Sequence, residues 1–258
     1  MRDVLRRLAR NEISVDEAER MMKTSAIIEI EDIAKLDVGR DTRKGFPEII
    51  LAEGKTTEDV IRISLKMLES KERVIVSRGS NEQLDAIRGV VPEGATLCLN
   101  EKARMAVLKK RGFTVEDSGG RIGVMTAGTS DIPIAEEVKV MAEELGCEVF
   151  SSYDAGVAGL HRLFPSLREM IMRDVDVMVV IAGREGALPT VVSGLVDVPI
   201  IGVPTSIGYG YGGRGVSALM AMLQACSLGI AVVNIDGGVA AGAIAALIAN
   251  RVARARNV

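Results

Sequence analysis

The chain has 258 residues, 48% of them hydrophobic, and a formal net charge of −3, so it can bury a large core and fits neither a disordered segment nor a polyanion binder. Cys98, Cys147 and Cys226 lack CxxC spacing and MRDVLRRLAR lacks the apolar run of a secretory leader, which argues against disulfides and zinc and for the cytosol. Of 32 basic and 35 acidic residues, 44 precede position 121, but only 9 of the 27 glycines do, which predicts a solvated first part and a packed parallel sheet with ligand loops in the second.

Residues 1 to about 24 read as short helices, with Ser14 and Glu17 spaced as a capping box. Strands are expected at 48–53, 73–77 and 95–99, separated by helical stretches at 56–70, 80–89 and 101–111. The segment EDSGGR at 116–121 is a plausible boundary, giving domains 1–120 and 121–258. Beyond it a βα pattern repeats five times, with strands near 122–127, 147–153, 177–182, 199–203 and 230–235. Helices are expected near 132–145, 160–174, 187–196, 216–227 and 240–254. The fold class is therefore α/β: a carboxy-terminal, doubly wound, flavodoxin-like five-stranded parallel sheet with a smaller amino-terminal α/β domain. The 21 uncharged residues between Arg214 and Asp236 are long enough for a membrane span. Their pattern nevertheless reads as helix, turn and strand, so no membrane is expected. The helices VSALMAMLQAC and GGVAAGAIAALIA are apolar nearly all round, which predicts a homo-oligomer.

In such sheets ligands bind beyond the carboxyl ends of the strands, near the switch point. The segments expected there hold Tyr153, Tyr209, Tyr211 and His161, all the tyrosines and the one histidine of the chain. In GTSD, Gly128 permits a tight turn and Thr129 and Ser130 add hydroxyls to a helix start. Phosphate binding there competes with simple capping by Ser130 and Asp131. Gly208, Gly210, Gly212, Gly213 and Gly215, interleaved with Tyr209, Tyr211 and Arg214 and following Ser206, suit an anion nest, a mobile lid or a flexible connection. Glu185, beside Gly186, could act as a base or cap a helix, and Asp154 and Asp236 have the same status. His161 could shuttle a proton or be structural. Cys226, late in an apolar helix, reads unaided as a buried inert thiol.

Six segments in order, LDVGRDTRKGFPEIILAEGKT, GTSDIPIAEE, YDAGVAGLHRLF, AGREGALPTVVSGLV, VPTSIGYGYGG and MLQACSLGIAVVNIDGG, resemble the pyridinium-3,5-biscarboxylic acid mononucleotide synthases. That family starts assembly of the nickel-pincer nucleotide cofactor of lactate racemase, and its second domain is similar to the aminoimidazole ribonucleotide carboxylases and mutases. The resemblance implies carboxylation of nicotinic acid adenine dinucleotide with CO2 or bicarbonate and hydrolysis of its phosphoanhydride to release AMP. It makes Cys226 the nucleophile, and places Ser130 and Asp131 near phosphate and ribose and Glu185 and Gly186 where ring and CO2 meet. Asp154 and His161 become proton-transfer or positioning groups, and Arg40, Arg43 and Lys55 could contact the dinucleotide. The purine enzymes carry Ser-Ala-His-Arg where this chain has DAGVAGLHR, a departure that weakens the match of His161 to their histidine. No tightly bound cofactor or nucleic-acid partner is expected. A divalent cation such as Mg2+ could neutralise the phosphoanhydride, although no carboxylate cluster marks a metal site. The purine relatives imply an octamer. A purine carboxylase or mutase, or a nucleotide-sensing module, are the competing readings.

Overall fold

The computed structural model describes residues 2–24, 27–30, 34–37, 40 and 44–256. The chain divides into two compact units, one of residues up to Leu99 with Ala106–Phe113, the other of Asn100–Met105 with everything from Thr114. Arg43 and most of the segment around it lie outside the described residues.

In the first unit, α1 (Arg2–Ala9) is followed by α2 (Val15–Thr24). The Ser14 hydroxyl accepts the Glu17 N–H at 3.1 Å and the Ser14 N–H donates to the Glu17 carboxylate at 3.0 Å, the capping box expected from sequence. β1 (Ile27–Ile30) and β2 (Ala34–Asp37) pair antiparallel. A second sheet has the order β3-β4-β6-β5, from β3 (Ile49–Leu51), β4 (Arg73–Ser77), β5 (Ala95–Asn100) and β6 (Met105–Lys110). It packs on α3 (Thr57–Ser70) and α4 (Asn81–Gly89) through Val60, Ile63, Met67, Leu84 and Ile87.

The helix expected at 101–111 is instead a turn followed by β6. EKARMAVLKK is rich in helix formers, but Met105, Ala106, Val107 and Leu108 are all buried in an inner strand. Val76 pairs with Ala106 and Val74 with Leu108, so sheet pairing on both edges and burial on both faces override local propensity.

The second unit has a five-stranded, all-parallel sheet in the order β11-β10-β9-β7-β8. Its strands are β7 (Arg121–Thr126), β8 (Glu148–Ser152), β9 (Val177–Ala182), β10 (Ile200–Pro204) and β11 (Ile230–Val232), and its helices are α5 (Ile132–Glu143), α6 (Leu163–Met172), α7 (Ala187–Ser193), α8 (Val216–Leu223) and α9 (Gly238–Arg256). Alternation along β9 assigns the two faces. Val177, Val179 and Ile181 point to α5 and α9, and Met178, Val180 and Ala182 to α6, α7 and α8. This is the doubly wound arrangement expected from the five βα repeats.

The uncharged stretch before Asp236 is α8, a turn and β11, as its pattern implies. α9 is long and apolar enough to cross a membrane. Here its Ala241, Ala245, Ala246 and Ala249 are fully buried in the core with α5 and the sheet. α8 differs, since only Ala218 and Met222 are buried while Met220 and Leu223 stay exposed.

Close contact between α5 and α9 depends on Gly242. A Cβ there would lie 2.8 Å from the Val138 carbonyl and 2.9 Å from the Met141 Cβ. Gly242→Ala is expected to lower stability by about 1–3 kcal/mol through overpacking, read as a lower denaturant midpoint. An unchanged midpoint would show that the helices yield without cost.

Candidate active site

The loops after β7, β8, β9 and β10 enclose a cavity of about 260 Å³ at the carboxyl ends of the strands. It sits at the switch point, where β8 and β9 leave β7 on opposite sides. Two close backbone approaches shape it. A Cβ on Gly156 would lie 2.6 Å from the Ala127 carbonyl, and one on Gly183 would lie 2.3 Å from the Ile207 carbonyl. No side chain fits either position, so the loops meet backbone to backbone and leave the cavity between them.

GTSD forms a 3-10 turn leading into α5, with Pro133 in the first helical turn. Gly128, Ser130 and Asp131 line the cavity, and Thr129 is exposed beside them. Asp131 does not cap α5 with its side chain. Its buried carboxylate accepts the Gly128 N–H at 3.0 Å and the Thr205 hydroxyl at 2.7 Å. Burial pushes its pKa up, opposed by those two hydrogen bonds and helped by the charge of Asp236.

Two arginines line the wall. Arg162 donates to Asp154 at 2.7 Å. Asp154 holds a left-handed backbone, φ 60°, and its N–H donates to Thr126 Oγ1 at 3.2 Å, so its carboxylate reaches Arg162 rather than the cavity. Arg184 donates its N–H to Ile207 O at 3.0 Å and accepts the Ser217 hydroxyl on its own carbonyl. Its guanidinium lies 4.6 Å over the Tyr209 ring centroid, and hydrogen bonding and charge from Arg184 lower the Tyr209 pKa. Glu185 lines the cavity and precedes Gly186, the left-handed residue at the start of α7.

Other candidates lie apart from the lining. His161 is exposed in a 3-10 segment before α6, not within the first turn of that helix. Tyr153 turns to α5, where its hydroxyl donates to Glu136 at 2.7 Å; burial and that carboxylate push it up to about 12. Asp236 accepts the Ser206 N–H at 2.8 Å and donates its own N–H to Pro204 O, fastening the end of β10 to the loop after β11. Gly210 and Arg214 belong to the exposed glycine loop, where Arg214 has φ 60°. In the first unit, Arg40 pairs with Glu48 at 2.9 Å.

Cys226 departs most from expectation. α8 ends at Leu223, and the thiol is exposed in the turn before β11 rather than buried in a helix. Gly229, at φ 94°, makes that turn possible. The turn precedes Ile230, which pairs with Ile200 at the start of β10, whereas the cavity's Ile207 follows the end of β10. Within one chain the thiol and cavity are therefore at opposite ends of the sheet, separated by at least the length of β10, roughly 15 Å. Cys147 is buried and its thiol is pushed up to about 11 by that burial, while Cys98 is exposed on β5 of the other sheet.

Arg162, Arg184, Thr205 and the two wall glycines were not singled out from sequence. The signal was present in the neighbours: Arg162 follows His161, Arg184 precedes Glu185 and Thr205 precedes Ser206. Among the described residues no group of three or more His, Cys, Asp or Glu side chains could hold a metal ion.

Thr205→Val removes one of the two hydrogen bonds to ionised Asp131 and is expected to cost about 1–3 kcal/mol at neutral pH. The lost bond favours the charged carboxylate, so the cost shrinks in acid, where Asp131 is protonated. The raised folded-state pKa has the related consequence that stability falls as pH rises from the ordinary carboxylate value, 3.8, toward the folded one. Denaturant midpoints of both proteins in acid and at neutral pH measure this; an equal loss at both would separate the bond from the ionisation.

Residues 28–110 match the LarB/PurE-like N-terminal domain and residues 121–257 match AIR carboxylase. The chain is 43% identical over 251 residues to an uncharacterized protein of Methanocaldococcus jannaschii, covering 96% of each. It is 32% identical over 133 residues to a probable N5-carboxyaminoimidazole ribonucleotide mutase of Methanothermobacter thermautotrophicus, covering 50% of this chain and 37% of that one. With the Thermotoga maritima N5-carboxyaminoimidazole ribonucleotide mutase the identity is 26% over 133 residues, covering 50% and 74%. By its second unit, built around the strand-end cavity, the chain belongs to the AIR carboxylase family, and it carries a LarB/PurE-like domain ahead of that carboxylase-type domain.

Proposed function

We propose that the protein carboxylates the pyridinium ring of nicotinic acid adenine dinucleotide with CO2 or bicarbonate and hydrolyses the phosphoanhydride, giving pyridinium-3,5-biscarboxylic acid mononucleotide and AMP. The observation that carries this is the joining of a LarB/PurE-like domain and an AIR carboxylase domain in one chain. The cavity chemistry supports it: Arg162, Arg184 and the GTSD backbone can take phosphate, and Glu185 faces the same space.

A pyridinium ring is electron-poor and does not attack CO2. Addition of the Cys226 thiolate forms a C–S bond, sends a ring electron pair to nitrogen and leaves a dihydropyridine with a nucleophilic enamine carbon. That carbon forms a bond to CO2 and then loses its proton to a base such as Glu185. The returning electrons expel the thiolate, so a ring C–H is replaced by C–carboxylate and one proton is released. Water then cleaves the phosphoanhydride. Because Cys226 lies at the amino ends of the strands, this route requires a second copy to present its thiol to the cavity. The apolar face of α8 with exposed Met220 and Leu223 suits such an assembly. Asp154 acts by orienting Arg162.

A cavity without a thiol in its own wall favours a second reading, an AIR carboxylase or mutase reaction that needs no nucleophilic cysteine. Incubation with nicotinic acid adenine dinucleotide and labelled bicarbonate distinguishes the two. The expected result is AMP release and a pyridine mononucleotide carrying one added, labelled carboxyl group; formation of neither product would overturn the proposal. Cys226→Ser should abolish carboxylation, and Arg162→Ala should weaken substrate binding about ten- to a hundredfold. Mixed assemblies of these two inactive or weakened variants should recover activity, since one subunit supplies the thiol and the other the cavity. Full activity of Cys226→Ser would instead leave the purine-type reaction.

A further inference from the structure

The cavity, about 260 Å³, falls just below the roughly 300–1,000 Å³ common for small-molecule sites. It can enclose one nucleotide but not two. A dinucleotide seated by its pyridine half therefore leaves its second base at the rim.

The rim presents an aromatic face. The chain has three tyrosines, four phenylalanines and no tryptophan, yet Tyr209 is 80% exposed, on the glycine loop after β10. The loop stands clear of the rest of the chain there, because a Cβ on Gly210 or Gly213 would meet nothing within 4 Å. Packing explains Gly212 and Gly215, where a Cβ would meet Ser217 and Thr205, but it does not explain the exposed ring. The ring is nevertheless positioned, since the Arg184 guanidinium lies 4.6 Å over its centroid. Arg184 is itself fixed at the wall, its N–H on Ile207 O and its carbonyl on the Ser217 hydroxyl. Its backbone holds φ 51°, an uncommon conformation for a non-glycine residue. A guanidinium over a tyrosine occupies the place that a planar base takes on an aromatic platform, and both partners stack on purines.

We propose that Tyr209 and Arg184 form a stacking subsite at the cavity mouth for the purine of the substrate's second nucleotide, with Arg184 turning from the ring toward the bridging phosphates as the base arrives. The proposal rests on the dinucleotide assignment above, and it makes this pair the feature that distinguishes a dinucleotide from a mononucleotide. Tyr209 is a binding residue here and takes no part in the ring chemistry.

Calorimetric titration of the full chain with nicotinic acid adenine dinucleotide, nicotinic acid mononucleotide and AMP tests it, using wild type, Tyr209→Ala and Tyr209→Phe. Tyr209→Ala should weaken the dinucleotide and AMP about tenfold or more while leaving nicotinic acid mononucleotide within about twofold of wild type, and Tyr209→Phe should leave all three within about twofold. Unchanged dinucleotide affinity in Tyr209→Ala, or an equal loss for the mononucleotide, overturns the subsite. Photolabelling with 8-azido-AMP separates its failure from that of the reaction. Labelling of the 206–215 loop that Tyr209→Ala abolishes, in a protein that never carboxylates the dinucleotide, upholds the subsite and removes the reaction. Carboxylation with a KM indifferent to Tyr209 does the reverse.

Discussion

The bond from Thr205 to Asp131 holds the candidate site together. Asp131 follows β7 and Thr205 follows β10, and β9 lies between those strands. The contact therefore bridges the carboxyl end of β9, whose loop supplies Gly183, Arg184 and Glu185 to the cavity. A hydroxyl donating to a buried carboxylate contributes about 1.5–3 kcal/mol, set against the cost of taking the charge from water. The Gly128 N–H fills a second acceptor site on the same carboxylate, so the loop after β7 is fastened at both ends of GTSD. Of the choice between capping and phosphate binding that the sequence presents, side-chain capping of α5 by Asp131 is absent. Asp131 ties the loop down through the Gly128 backbone, and Ser130 lines the cavity beside it.

The uneven distribution of charge acquires a location from the fold. The central strands β9 and β10 are buried along their whole length, and α5 and α9 meet through alanine and glycine. Charge is thereby kept off these central strands, and Asp154, Arg162, Arg184 and Glu185 stand within or beside the cavity. α8 and α9 look alike as sequences but are used differently. Burial by α5 and the sheet accounts for much of the apolar surface of α9, whereas Val216, Met220 and Leu223 remain exposed along α8. Val216, Met220 and Leu223 give α8 an apolar face that its own chain does not cover, and Ile244 and Val252 leave a smaller part of α9 exposed.

Periodicity revealed the five βα repeats because each strand is a short apolar run and each crossover helix returns the chain to the amino ends of the parallel strands. It failed at β6, where helix-forming residues become an inner strand once β4 and β5 pair on either side. The glycine loop and GTSD were legible because their residue types serve backbone geometry directly. Arg162 was not, since its place in the wall depends on the φ of Asp154 and on an ion pair eight residues back. Cys226 shows the same limit more sharply. Its motif can be recognised in one dimension, but which end of the sheet it occupies follows only from where α8 stops and β11 begins.

The two arginines of the cavity are positioned by partners that a phosphate can displace. Arg162 rests on Asp154, and both side chains are substantially exposed. An ion pair of that kind is worth about 0–1 kcal/mol, so exchanging it for a desolvated phosphate costs little. Arg184 rests on the Tyr209 ring, an exposed contact of about 0.5–1 kcal/mol. Neither guanidinium is committed to a buried carboxylate. Asp131 is the buried acid at this site, and the Gly128 N–H and Thr205 hydroxyl that engage its two oxygens offset part of the repulsion it would offer an anion. The proposed phosphate binding thus needs no two unpaired cations buried in the empty protein, which would cost far more than these weak contacts supply.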